Sequence, residues 1–214
     1  MFSKEAIGSG TLELLKELQS ANLLKDFHLA GGTSLAMQIG HRLSIDLNLF
    51  TQNDFDSNLL LEYLEESFGF KLNFSSKNTL KGSISNVNID LITHKYPLVK
   101  NLRIEDGVRL FSIEDIAAMK MNAIAGNGTR SKDFIDIYFI LKQFSIADIL
   151  GFYATKYSSR NQLHAIKSLN YFDDISLNDW PYMILEKTLT MSKVQKTISA
   201  QVKIFSANML LFEP

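Results

Sequence analysis

The sequence predicts an α+β fold, with a strand-rich first half followed by a helical second half. Three observations predict it. Apolar and polar residues alternate in several short runs before residue 105, apolar residues recur at helical spacing after it, and a Gly31-Gly32 pair joins an early strand to a helix. The expected segments are therefore 1–105 and 106–214. A chain of 214 residues buries a sizeable core, as one large domain or two small ones. Hydrophobic content of 46% with only three prolines marks it as folded rather than disordered. The net charge of −1 gives no global attraction to nucleic acid, so a polynucleotide partner would have to meet a local basic patch. Absence of cysteine excludes disulfides and thiolate metal sites. No charged leader with an apolar core opens the chain, and no run approaches the roughly 18 apolar residues of a membrane span. The expectation is a soluble cytoplasmic protein with no membrane partner.

Leu12, Leu15, Leu18 and Leu23 give an opening amphipathic helix over Thr11 to Lys25. Phe27 to Ala30 reads as a strand, Gly31-Gly32 as a turn and Thr33 to Ile39 as a helix. That order makes a phosphate cradle, because backbone N–H groups and the helix dipole both favour an anion there. Ile45, Leu47 and Leu49 alternate with Asp46 and Asn48, so the two polar side chains share one strand face. Two oxygen ligands at that spacing suit a hard cation such as magnesium. Taken singly, the glycines are a plain turn and the polar pair a solvated face. Their close succession is more specific than either alone.

A helix over Phe55 to Phe68 follows, then strand-like runs at Phe70 to Phe74, Leu80 to Ile84 and Val87 to Thr93, spaced as hairpins of one sheet. Asp90 alternates with Val87, Ile89 and Leu91 and so faces away from them. Paired beside the Ile45 to Leu49 strand, it would join Asp46 and Asn48 as the third oxygen ligand of two-metal phosphoryl chemistry.

The helical half opens at Ser112, an N-cap with an acid three residues on, and its first helix runs through Ala125 until Gly126-Asn127-Gly128 stops it. Ser131 to Phe144 is the next, with Phe134, Ile137, Tyr138 and Leu141 as its buried stripe and Lys132, Asp133 and Asp136 largely off it. Lys120, in mid-helix, is either solvated or a cation for a nucleotide phosphate. Further on, Phe152, Tyr153 and Tyr157 read as packing residues, while Lys156, Arg160 and Lys167 border an RNA groove or form a solvated face. His28, His41, His94 and His164 lack metal-ligand spacing. His41 and Arg42 either steer phosphate or brace the acidic strand.

Gly31-Gly32-Thr33, the run His41 to Phe50 with Asp46-Leu47-Asn48, Asp115 to Lys120, and Lys132-Asp133-Phe134-Ile135-Asp136 together resemble the motifs of the AbiEii-type abortive-infection nucleotidyltransferase toxins. The resemblance covers about residues 28 to 142. It implies a polymerase-beta-like nucleotidyltransferase core, with a mixed, twisted β-sheet flanked by helices, and a helical C-terminal region that completes the nucleotide site. It implies transfer of NMP from an NTP substrate, dependent on Mg²⁺ or Mn²⁺, with a tRNA 3′ end as acceptor in some members, and a cognate antitoxin. Gly31, Gly32, Thr33 and Ser44 would hold the nucleotide, and Asp46, Asn48 and Asp90 the metal. Lys120 and Asp133 would complete the catalytic set, with Asp136 beside them. One departure stands out, since the family has an acid where this chain has Asn48. A carboxamide ligates through one neutral oxygen and offsets no metal charge. Two readings follow: an active nucleotidyltransferase toxin, or a non-catalytic relative that binds a nucleotide, RNA or protein. Transfer to a small molecule such as an aminoglycoside is a variant of the first.

Overall fold

A computed structural model describes residues 2–210 of the chain. The described residues form two compact units, one of residues 2–96 and 101–112, the other of residues 97–100 and 113–210. The first carries a mixed sheet and the second is helical, so the class is α+β as the residue patterns predict.

The first unit runs α1 (Ser9–Ser20), β1 (His28–Ala30), α2 (Gly31–Ile39), β2 (Leu47–Thr51), α3 (Ser57–Phe68), β3 (Lys71–Ser76), β4 (Thr79–Ile84), β5 (Val87–Thr93), β6 (Arg103–Glu105) and β7 (Val108–Leu110). Among the described residues the seven strands make one sheet in the order β3-β4-β5-β2-β1-β7-β6. β1 is antiparallel to β2 but parallel to β7, and β2 is parallel to β5. Alternation sets the faces. Leu47 and Leu49 of β2, Leu80 and Ile84 of β4, and Ile89 and Leu91 of β5 enter one apolar core, which Leu15 and Leu18 of α1 and Leu60 and Leu64 of α3 also join. The polar residues between them are left on the other face.

Several boundaries move for local reasons. α1 ends at Ser20 instead of Lys25, and a separate 3-10 turn covers Asn22–Leu24. α3 starts at Ser57 because the Asp56 carboxylate accepts from the N–H groups of Asn58 at 2.9 Å and Leu59 at 3.1 Å, an N-cap that contributes about 1 kcal/mol. The unit extends past residue 105 because β6 and β7 pair as a hairpin and Leu110 lies in register with Leu29 of β1. Arg109 fastens β7 to α1, its Nη2 donating to the carbonyls of Gln19 at 2.8 Å and Leu24 at 3.0 Å.

The second unit contains α4 (Ile113–Gly126), α5 (Ser131–Ile140), α6 (Ile146–Lys156), α7 (Gln162–Leu169) and α8 (Met191–Leu210). α5 stops four residues before Phe144, and every one of its residues except Lys132 is buried. Residues 97–100 belong to this unit because the Asp115 carboxylate accepts from the N–H groups of Val99 and Lys100. Lys156 joins the same group, 2.8 Å from Asp115 and 3.1 Å from the Pro97 carbonyl.

Candidate functional site

The residues singled out at the glycine turn and on the acidic strands come together in the first unit. Ala30 ends β1 in extended conformation, and Gly31 then turns into α2 at φ 68°, the left-handed region that glycine enters without strain. A Cβ on Gly31 would also stand 2.9 Å from Asn48 Nδ2. Glycine is therefore needed twice, once for the turn and once for the close approach of β2. No side chain caps the start of α2, so its first N–H groups remain available as anion donors.

Asn48 is the register partner of Ala30 on β1 and of Asp90 on β5, and Asp90 is the register partner of Lys81 on β4. These side chains share the polar face of the sheet. Lys81 Nζ lies 3.0 Å from Asp90 Oδ2. Asp46 lies just before β2 rather than within it, and its Oδ1 accepts from Asn88 Nδ2 at 3.0 Å. Ile45, expected to be a buried member of the alternation, is 47% exposed because regular strand begins only at Leu47.

Thr33 and Ser44 position the acidic segment. Thr33 Oγ1 donates to the Asp46 carbonyl at 2.5 Å and lies 2.8 Å from Ser44 Oγ. Because a carbonyl only accepts, the single Thr33 proton goes to Asp46, and the Ser44 hydroxyl donates to Thr33. Thr33 is only 1% exposed, and its side chain braces the acidic segment through these two bonds. His41 and Arg42 are both buried, and Arg42 Nη1 donates to the Leu43 carbonyl. Their burial leaves neither side chain on an exposed face for steering phosphate.

The second unit gathers Lys120, Asp133 and Asp136. Lys120 Nζ lies 2.6 Å from Asp133 Oδ1 and 2.6 Å from Asp136 Oδ2, linking α4 to α5. Neither aspartate lies off the buried side, since Asp133 is 2% and Asp136 0% exposed. Nor is Lys120 a solvated helix residue. Asp133 Oδ2 is buried without a hydrogen-bond partner, 4.0 Å from Arg130 Nε. Lys156 is likewise removed from any RNA-facing surface, because its side chain is buried against Asp115.

Lys81, Asn88 and Arg130 are polar contacts of these clusters that residue patterns did not single out. Alternation in β4 and β5 placed Lys81 and Asn88 on the polar face, but the register that delivers them to Asp90 and Asp46 is a long-range property.

Among the described residues no group of three or more His, Asp or Glu is arranged to hold a metal. Two carboxylates and one carboxamide on one face nevertheless fit magnesium, which is held by one or two carboxylates together with substrate phosphates and water. Asp46, Asn48 and Asp90 supply oxygen donors of that kind, and Lys81 already offsets part of their charge.

The family model for the AbiEii nucleotidyl transferase toxin of type IV toxin-antitoxin systems matches residues 13–106 and 90–187. A protein of Aquifex aeolicus is 31% identical over 168 residues, spanning 76% of this chain and 81% of its own. Among solved structures, a candidate nucleotidyltransferase from Helicobacter pylori superposes with TM-score 0.58 at 15% identity, covering 99% of each chain. MenT4, a nucleotidyltransferase toxin from Mycobacterium tuberculosis, gives 0.57 at 12% identity, with 90% of this chain and 81% of that one covered. At such identities these two structures share the fold with this chain.

Proposed function

Because the chain belongs to the AbiEii nucleotidyltransferase toxin family, we propose that it transfers NMP from a nucleoside triphosphate to an acceptor hydroxyl on RNA, such as a tRNA 3′ end. The observation that carries this reading is the register of Asn48 with Asp90 beside the Gly31 turn. It sets an oxygen-rich face next to a helix N-terminus, and a triphosphate-metal complex needs both.

In this reading the N–H groups at Gly31 and Gly32 hold the triphosphate, and Thr33 with Ser44 keeps Asp46 in place. Asp46, Asn48 and Asp90 hold Mg²⁺, or Mn²⁺, which offsets phosphate charge when bound. Asp90 accepts the proton of the acceptor hydroxyl, and Lys81 holds that carboxylate in position. The acceptor oxygen forms a bond to the α-phosphorus as the α–β bridging bond breaks, and pyrophosphate leaves with the electron pair. Within the second unit Lys120 and Asp133 form a fixed pair, their geometry set by Asp136. The proposed setting is the cytoplasm, where NTPs and tRNA are found, with a cognate antitoxin as regulator. No helix of the described residues is long and apolar enough to cross a membrane.

Asn48 favours a second reading, a relative that binds nucleotide, RNA or protein without catalysis. The two are separated by incubating each labelled NTP with purified total tRNA in Mg²⁺ or Mn²⁺, comparing the protein with Asp46→Ala. Incorporation that disappears in the variant supports transfer. Absence of incorporation with every nucleotide and metal favours the non-catalytic reading or another acceptor.

A further inference from the structure

The second unit carries two cavities, of about 490 and 380 Å³, that share Ala125, Gly126 and His164 in their walls. His164 Nε2 lies 3.1 Å from the Ala125 carbonyl. Since that oxygen only accepts, Nε2 carries the proton and the ring is pinned to the last turn of α4, where the two cavities meet. Lys167 and Tyr171 line the larger cavity and Arg160 the smaller. Among the described residues neither Arg160 nor Lys167 forms a salt bridge. Tyr171 is 51% exposed. Asp174 beside its hydroxyl pushes the phenol pKa up. Asp174 is the one carboxylate in the two linings, against Arg160 and Lys167.

We propose that this groove binds single-stranded RNA, with Arg160 and Lys167 on phosphates and a base stacked on Tyr171. Each cavity has the size of a small-ligand pocket, enough for a nucleotide. A cationic groove with an exposed aromatic ring is the combination that single strands require, because phosphates supply the charge and every base has a stacking face. For a chain of net charge −1, such binding has to be local. The proposal rests on the reading of RNA as acceptor and names a surface of the second unit that holds it.

The test is fluorescence anisotropy of a short fluorescein-labelled single-stranded RNA with the full-length protein, without NTP or divalent metal. Arg160→Glu and Lys167→Glu should each weaken binding roughly tenfold or more and flatten its salt dependence. Tyr171→Leu should cost roughly tenfold. Lys203→Glu, at an exposed position on α8, makes the same charge change elsewhere and should bind as wild type. If a glutamate variant melts early, Arg160→Gln and Lys167→Gln replace it. The proposal is overturned if wild type does not bind, if the groove variants bind normally, or if Lys203→Glu weakens binding equally. Groove-dependent binding without nucleotide transfer would remove the catalytic reading and keep the groove. Transfer that is lost in Asp46→Ala but unchanged in Arg160→Glu and Lys167→Glu would do the reverse.

Discussion

Replacing Lys120 by methionine leaves two carboxylates facing each other inside the second unit. The lysine Nζ lies 2.6 Å from an oxygen of each, and the side chains of Lys120, Asp133 and Asp136 are 9%, 3% and 0% exposed. Most of the Coulomb attraction at that distance is offset by the cost of removing the charges from water, so the intact cluster contributes little net stability. Removing one partner is different. The desolvation cost of the aspartates then loses its main offset, a loss of about 3–5 kcal/mol. That is a large share of a typical total of about 5–15 kcal/mol. Urea unfolding followed by circular dichroism should show this loss for Lys120→Met, and most of it should return in Lys120→Met/Asp133→Asn/Asp136→Asn. A loss under about 1 kcal/mol, the size of an exposed pair, would refute the claim that this lysine holds α4 to α5 through buried charge.

Gly31→Ala should lower stability by about 1–2 kcal/mol through its left-handed φ alone, and should abolish transfer because the new Cβ displaces Asn48; Gly32→Ala, whose φ is not positive, should melt near wild type. Asn48→Asp should cost about 1 kcal/mol without metal by opposing Asp90 across the ladder, and Mg²⁺ should then raise its melting temperature more than that of wild type. Glu186 is pulled from its ordinary 4.5 to about 2, chiefly by hydrogen bonds from Lys142 and then Lys193. A depressed carboxyl pKa stabilises above the ordinary value and ceases to as pH falls toward about 2. Discounted for solvent screening, Glu186→Gln should cost about 1 kcal/mol at neutral pH, and the difference from wild type in chemical denaturation should vanish at the acid end.

The first unit was legible where its information was local. Period-two alternation placed Asn48 and Asp90 on polar faces, and the parallel β2–β5 register then made them neighbours. The glycine turn was legible for the same reason, although α2 runs from Gly31 rather than Thr33. What local pattern misread was burial in the second unit. Asp133 and Asp136, one turn apart and off the apolar stripe, resemble a solvated helix face until Lys120 arrives from α4 to neutralise them. Lys156 misled in the same way, its partner Asp115 being 41 residues distant in the chain. The bond from Thr33 to the Asp46 carbonyl was not legible either, because it depends on where that carbonyl lies in the fold.

The central claim is that Asp46, Asn48 and Asp90 serve nucleotide transfer despite the missing third acid. It is tested most directly by following RNA mass and pyrophosphate release together, using wild type and Asp90→Asn with NTP and Mg²⁺ or Mn²⁺. The account predicts RNA heavier by whole NMP units, an equal amount of pyrophosphate, and loss of both in the variant. RNA of unchanged mass with every NTP and either metal, or a variant as active as wild type, would contradict it.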